Sequence, residues 1–480
     1  MDGGEAGGSG GGAEEGDAGV LDAGLDGGLE RDGGVDAGLD AGVDAGLDAG
    51  VDAGVDAGPP RPDAGPGPWS LTVTVNRVSP ATGTVTSLPG GINCGSTCTA
   101  MFGGVALDAG NVIELTATPG SQLQTIQGWT GDCADAGLAR RCRISMDGPK
   151  TAGVTFTPYN VMFVTSARYS KTRGGVAPYD ATCQQLASAA GFPGTYVAWM
   201  SGTNSAINRI LGARGWVRPD GRPFADSTTS LAAGRVLYVP RVTETGNLLP
   251  AGDLTVMTGT GPSGQGNAYN CADWSDAGAP SAYGVVDMGT GAWTQYAIGG
   301  NCTGTEHHYC FGTSFDAPVA LSVPAAARRA FLSTPWAPGS GLAGADTHCS
   351  NLATDAGFPG TYRALLATST ASAASRFSGG GNPWYRPDGV QLSNTGTDLL
   401  GGSLQASLNV TAAGSYGIRA AVLTGAASLS SIGTIASTCS DWTSTAGQAT
   451  TSQTTITSNF WSATFMANCN AGTPMYCLQQ

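Results

Sequence analysis

Three histidines occur in 480 residues, His307, His308 and His348. An imidazole beside a serine and a carboxylate activates a nucleophile, and with further nitrogen or sulfur ligands it holds zinc. Where related segments recur in the chain these histidines do not: GTEHHYC is answered by AGTPMYC, and THC by ATC. A triad or zinc site shared by the two halves is excluded, one confined to a single half stays open, and the His307–His308 pair is expected at the surface. Carboxylates do recur. Asp220 and Asp388 stand in two copies of RPDG, and Asp273 and Asp441 in CADW and CSDW. Paired acids serve general acid–base chemistry, but Pro-Asp-Gly is first a turn, in which Arg218 or Arg386 is expected to pair with one of these acids. Tryptophans recur as well: Trp216, Trp274 and Trp293 answer to Trp384, Trp442 and Trp461. Indoles in register can stack a sugar, although core packing is the commoner use, and the unmatched Trp199 and Trp336 are expected to be exposed. The candidate ligand contacts are therefore Trp216, Arg218, Asp220 and Trp293 in one half and Trp384, Arg386, Asp388 and Trp461 in the other. No catalytic residue, cofactor or metal ligand is assigned.

Other motif matches dissolve in context. The G-x-S-x-G string lies at Gly7 to Gly11, within a segment unsuited to a strained strand-to-helix turn. GTGPSG at Gly259 does not open a helix, and GSGLAG at Gly339 lacks an acidic residue at the dinucleotide-binding distance; both are chance in a chain with 76 glycines.

Residues 1–68 hold 16 of the 36 acidic side chains against Arg31 and Arg61 alone, a net charge of -14, and leave 20 acids and 20 bases in the remainder. A neutral remainder gives no support to nucleic-acid binding. Between Val35 and Gly58 the chain repeats V/L-D-A-G. A helix there would carry a glycine every turn and like charges at i,i+4, so 1–68 is expected to be a disordered acidic spacer with a root-mean-square span of about 45 Å. Its carboxylates lack the folded, oxygen-rich loop that calcium needs. No apolar run is long enough to span a bilayer.

The heptapeptide AGFPGTY appears at Ala190–Tyr196 and again at Ala356–Tyr362. Phe163, Cys183, Trp216, Cys271, Trp293 and Cys310 have counterparts in Phe331, Cys349, Trp384, Cys439, Trp461 and Cys477, at offsets of 166 to 168. This is a tandem duplication, with copies at 159–312 and 329–480 and a linker at 313–328 that limits their separation. In each copy Cys183, Leu186, Ala187 and Ala190, or Cys349, Leu352, Ala353 and Ala356, mark one face of a helix. The helix starts near Asp180 or Asp346 and stops at Gly191 or Gly357, with a strand following the Pro-Gly turn. Residues 69–158 instead alternate in short runs, SLTVTV, GTVTS, NVIELTATP, RCRISM and AGVTFT, which predict strands.

The 12 cysteines divide evenly, four in each of these three units, without zinc-type C-x2-C pairs; they are expected to form disulfides in an oxidising compartment. The segment GGINCGSTCTAMFGG through IQGWTGDC and RCRISM resembles the Internalin-type B-repeat modules of bacterial surface proteins, with Cys94–Cys98 and Cys133–Cys142 as its expected pairs. The cysteine-bearing helix, GTY turn, C-x-D-W and terminal cysteine pair of each copy resemble the endostatin-like branch of the C-type-lectin-like fold. That resemblance implies nested bridges, Cys183–Cys310 around Cys271–Cys302 and Cys349–Cys477 around Cys439–Cys469. The calcium-binding strings of sugar-binding C-type lectins are absent, and the neutral charge does not favour Arg-cluster heparin binding of the endostatin kind. The acidic start is similar to the spacer behind the lipid anchor of a myxobacterial-type lipoprotein, so membrane association is expected only through such an anchor.

The expected class is α+β: two tandem endostatin-like C-type-lectin-like domains, a small all-β module and a disordered tail. The expected function is non-catalytic binding or adhesion at the cell surface or outside it, to a glycan or a surface protein. The rivals are a secreted polysaccharide hydrolase using the shared carboxylates and a structural stalk.

Overall fold

A computed structural model describes residues 68–480 apart from 95–96, 104–110, 418–419, 459 and 462–464. The expected acidic spacer lies outside the described residues except for Pro68. What is described is α+β with strand predominating. Among the described residues no helix is long and apolar enough to cross a membrane.

The alternating runs after Trp69 form strands β1 (Trp69–Arg77), β2 (Gly83–Leu88), β3 (Asn93–Cys94), β4 (Thr97–Phe102), β5 (Val112–Pro119), β6 (Gln124–Gly131), β7 (Arg141–Ser145) and β8 (Lys150–Pro158). They make two four-stranded sheets, ordered β4-β1-β8-β6 and β3-β2-β5-β7. Every second residue of β1, Leu71, Val73 and Val75, turns inward to meet Val85, Ile113, Leu115, Val154 and Phe156, as the two-residue period of a half-buried strand requires. Cys133, just after β6, bonds to Cys142 on β7 and so ties one sheet to the other. Cys94 and Cys98, expected to be bridged, are not. Cys94 lies opposite Val85 in one sheet and Cys98 opposite Val73 in the other, because the chain changes sheets between them.

Each copy closes on itself, its last strand lying antiparallel to its first, with Phe163 opposite Cys310 and Phe331 opposite Cys477. In the first copy the main sheet runs Tyr196–Ala198, Tyr309–Gly312, Asn160–Val164, Arg214–Val217, Pro223–Ser227; in the second it runs Tyr362–Ala364, Tyr476–Gln479, Arg328–Leu332, Trp384–Tyr385. The helices Ala177–Ala189 and Gly341–Asp355 are pinned to these sheets by Cys183–Cys310 and Cys349–Cys477, and the inner bridges are Cys271–Cys302 and Cys439–Cys469. Five disulfides indicate an oxidising environment.

The repeated heptapeptide is explained by its two glycines. Gly191 and Gly357 end the helices at φ +73° and +70°, conformations that side chains rarely adopt. Gly194 and Gly360 follow at +93° and +92°, where an added Cβ would lie 2.8 Å from Ser314 and 2.6 Å from Gln479. Asp180 and Asp346 do not cap their helices. Each carboxylate accepts the backbone N–H of the next strand, Ala198 at 2.8 Å or Ala364 at 2.9 Å, and pairs with Arg209 or Arg376, each at 2.6 Å, docking helix to sheet.

A further repeated element is left-handed. Cys271, Ala272, Asp273 and Trp274 have φ of 58°, 47°, 54° and 60°, and Cys439, Ser440, Asp441 and Trp442 have 52°, 55°, 52° and 68°. Four successive non-glycine residues in this region cost roughly 1–2 kcal/mol each. The turn is held by its disulfide and by a buried indole whose N–H donates 2.9 Å to Ser201 O or Ala367 O.

Candidate binding cleft between the two copies

All four tryptophans proposed as ligand contacts are buried. Trp216 and Trp384 donate to Gly312 O at 2.9 Å and Gln479 O at 2.8 Å, and Trp293 and Trp461 sit within the cores beside them. No ring face is left for a ligand, and the same packing corrects the expectation of an exposed Trp199 and Trp336. Trp199 lies against Phe311, centroids 5.1 Å apart, and Trp336 against Trp442, 6.4 Å apart.

The histidine pair is buried too. The strand entered by HHYC is central in its sheet, so its approach is covered from both sides. His307 bridges Thr165 O at 2.6 Å and Asp253 Oδ2 at 2.9 Å. His308 occupies the position of Met475 between the rings of Tyr169 and Tyr179, and among the described residues neither of its nitrogens has a hydrogen-bond partner. Burial pushes its pKa down to about 3. Although Cys183, His308 and Cys310 converge, the two sulfurs are bonded to one another, so the group is not a metal ligand set.

The RPDG turns carry matched ion pairs. Arg218 donates Nε to Asp220 Oδ1 at 3.0 Å and Nη2 to Oδ2, with Nη1 on Val239 O at 2.8 Å. Arg386 repeats this with Asp388, at 3.0 Å and 2.5 Å, and with Ser407 O at 3.0 Å. The Tyr416 hydroxyl also donates to Asp388. Burial opposes ionisation of Asp388, yet the charge and hydrogen bonds of Arg386 outweigh it and hold the carboxyl below its ordinary value.

These turns lie at the contact between the copies. Asp287, Met288 and Gly289 correspond, at an offset of 168, to Thr455, Ile456 and Thr457. The two segments pair with each other. Gly289 donates to Thr455 O at 3.0 Å, Thr457 donates to Asp287 O at 3.2 Å, and Met288 faces Ile456. Like residues thus meet like across a local two-fold, the isologous pattern of a symmetric dimer contained in one chain.

A two-fold makes every cleft at the contact twice, and here the two versions differ. One is open, about 590 Å³, between Arg218, Asp220, Arg222, Arg241 and Leu248 of the first copy and Ser403 and Gln405 of the second. The other, between Asp388 and Tyr416 on one side and Arg235 and Leu237 on the other, has shrunk to about 120 Å³. Val390 stands there for Arg222, Asn409 for Arg241 and Tyr416 for Leu248; Tyr416, bonded to Asp388, and Val319 and Leu321 of the linker line the space that is left. The bonds that fix this correspondence recur pair by pair, Arg218 N to Arg222 O as Arg386 N to Val390 O, and Thr243 N to Asn247 O as Thr411 N to Ser415 O.

Two further grooves, about 530 and 490 Å³, occupy equivalent places beside Leu186 and Ala190 and beside Leu352 and Ala356. They carry no cluster of cations. Arg218 and Asp220 are thus the sequence-derived candidates that reach the open cleft, while of their counterparts Asp388 lines the smaller cleft and Arg386 is fully buried. Arg222, Arg241 and Leu248 were not singled out by motif; the signal for them is the break in correspondence when the copies are compared position by position. No family model and no curated protein matches the chain.

Proposed function

We propose that this chain is a non-catalytic binding protein of an extracellular or cell-surface setting, in which two endostatin-like C-type-lectin-like copies follow a B-repeat-like module and jointly receive a glycan or surface protein. The observation that carries this reading is the open cleft at the contact between the copies, formed by residues of both and kept open where its two-fold mate is filled. A hydrolase with paired acids is less well served. Among the described residues the cleft offers one carboxylate, Asp220, and Arg218 occupies both of its oxygens. A stalk would have no use for the open space.

The full chain applied to a glycan and surface-protein array tests the proposal. Saturable binding without turnover of the bound molecule is the expected result. Cleavage of a bound polysaccharide would install the hydrolase instead, and no binding to either class would leave the stalk.

A further inference from the structure

The cleft's charge says what it would hold. Arg218 and Asp220 neutralise each other, which leaves Arg222 and Arg241 as an excess of two positive charges in a globular part that is neutral as a whole. Arg222 rests on the Tyr238 ring, 5.3 Å from its centroid, donates Nη2 to Asn394 Oδ1 at 3.3 Å and reaches Asp220 only at 3.9 Å. Arg241 uses Nε alone, on Leu249 O at 2.9 Å, and among the described residues no carboxylate pairs with it. Its two terminal nitrogens form the fork that grips a carboxylate through parallel hydrogen bonds. Leu248, 61% exposed, adds an apolar surface on the arginine wall.

Taking the cleft as the ligand site proposed above, we propose that it binds an acidic saccharide, a uronate unit whose carboxylate engages Arg222 and Arg241 and whose ring lies on Leu248. A carboxylate beside an apolar ring face is what one uronate residue presents. In the mate Val390, Asn409 and Tyr416 stand at the positions of the two arginines and the leucine, and on its other wall Arg235 and Leu237 stand for Ser403 and Gln405.

Isothermal titration calorimetry of the full chain with oligogalacturonate and oligomannuronate tests this. At least one should bind, and its neutral methyl ester should bind ten times more weakly or worse, the loss expected when a charge-assisted hydrogen bond is removed. The pair Arg222→Gln and Arg241→Gln should cost a similar factor with the melting temperature kept. Leu248→Tyr, which copies the filled cleft and leaves both arginines in place, should abolish binding. Failure of both acids to bind, equal affinity for the ester, or preference for a sulfated galactan or polyglutamate would overturn the uronate assignment. A neutral glycan whose binding is lost in Leu248→Tyr but kept in the arginine variants would preserve the cleft as the binding site and still defeat this inference.

Discussion

At the scale of single residues, His308 shows how a position can be chemical in type and apolar in use. Its sequence counterpart is Met475, and both are buried at the entrance to the last strand of their copies. Since burial lowers its pKa to about 3, the folded state favours the neutral ring. The unfolded chain binds a proton near pH 6.5 and the folded chain does not, so this contribution to stability is complete above about pH 6.5 and is lost as pH falls toward 3. Chemical denaturation of His308→Met should therefore lose less stability between pH 7 and pH 4 than the parent, by on the order of 3 kcal/mol; parallel curves would refute the buried neutral imidazole. The acid of each RPDG turn makes a second contrast. Asp388→Asn should cost about 3 kcal/mol or more in urea unfolding, because it strands Arg386 fully buried, whereas Asp220 keeps a third of its side chain in water and Asp220→Asn should cost less. The Arg–Asp partnership was legible in four letters. That Arg386 would be sealed from solvent was not, since its cover, Val236 and Tyr416, comes from distant parts of the chain.

Among the elements, the strands of the first module and the cysteine-bearing helices were legible because their periods of two and about four residues are local properties. The left-handed turns were not. CADW and CSDW contain no glycine, and their backbone is imposed by the partners of their own cysteine and indole, Cys302 and Ser201 or Cys469 and Ala367, which lie far off in sequence. Relief of that strain is measurable. Ala272→Gly should leave stability unchanged or raise it by about 1 kcal/mol, while Ala181→Gly, in the right-handed helix Ala177–Ala189, should lower it by about 1 kcal/mol. If both lower it alike, the turn is not left-handed. The bridges can be checked directly. Non-reducing peptide mapping should recover five disulfides and alkylate Cys94 and Cys98 as free thiols. The outer bridges, with separations of 127 and 128 residues, should each contribute about 4 to 5 kcal/mol on the chain-entropy model.

For the whole molecule, the duplication was written in the offsets, but the contact between the copies was not, because a two-fold axis relates segments through space and not along the chain. The cleft was invisible for the same reason: each wall comes from a different copy. Met288 and Ile456 sit on the axis, so a charge at either position confronts a buried apolar neighbour. Met288→Asp should separate the copies without unfolding them. Small-angle scattering should then give a larger radius of gyration, calorimetry should resolve two transitions, and proteolysis within 313–327 should accelerate. A single transition at the parent temperature would mean that the contact contributes little.

The self-complementary edge has one more consequence. Inside one chain the linker keeps the concentration of each half around the other high, and the edges close on themselves. Once opened, each half presents an edge that any other half can accept, so two opened molecules can join and still leave a free edge at each end. Closure then competes with growth, and the balance is set by protein concentration. A symmetric contact housed in a single chain is therefore also the repeat unit of a linear polymer.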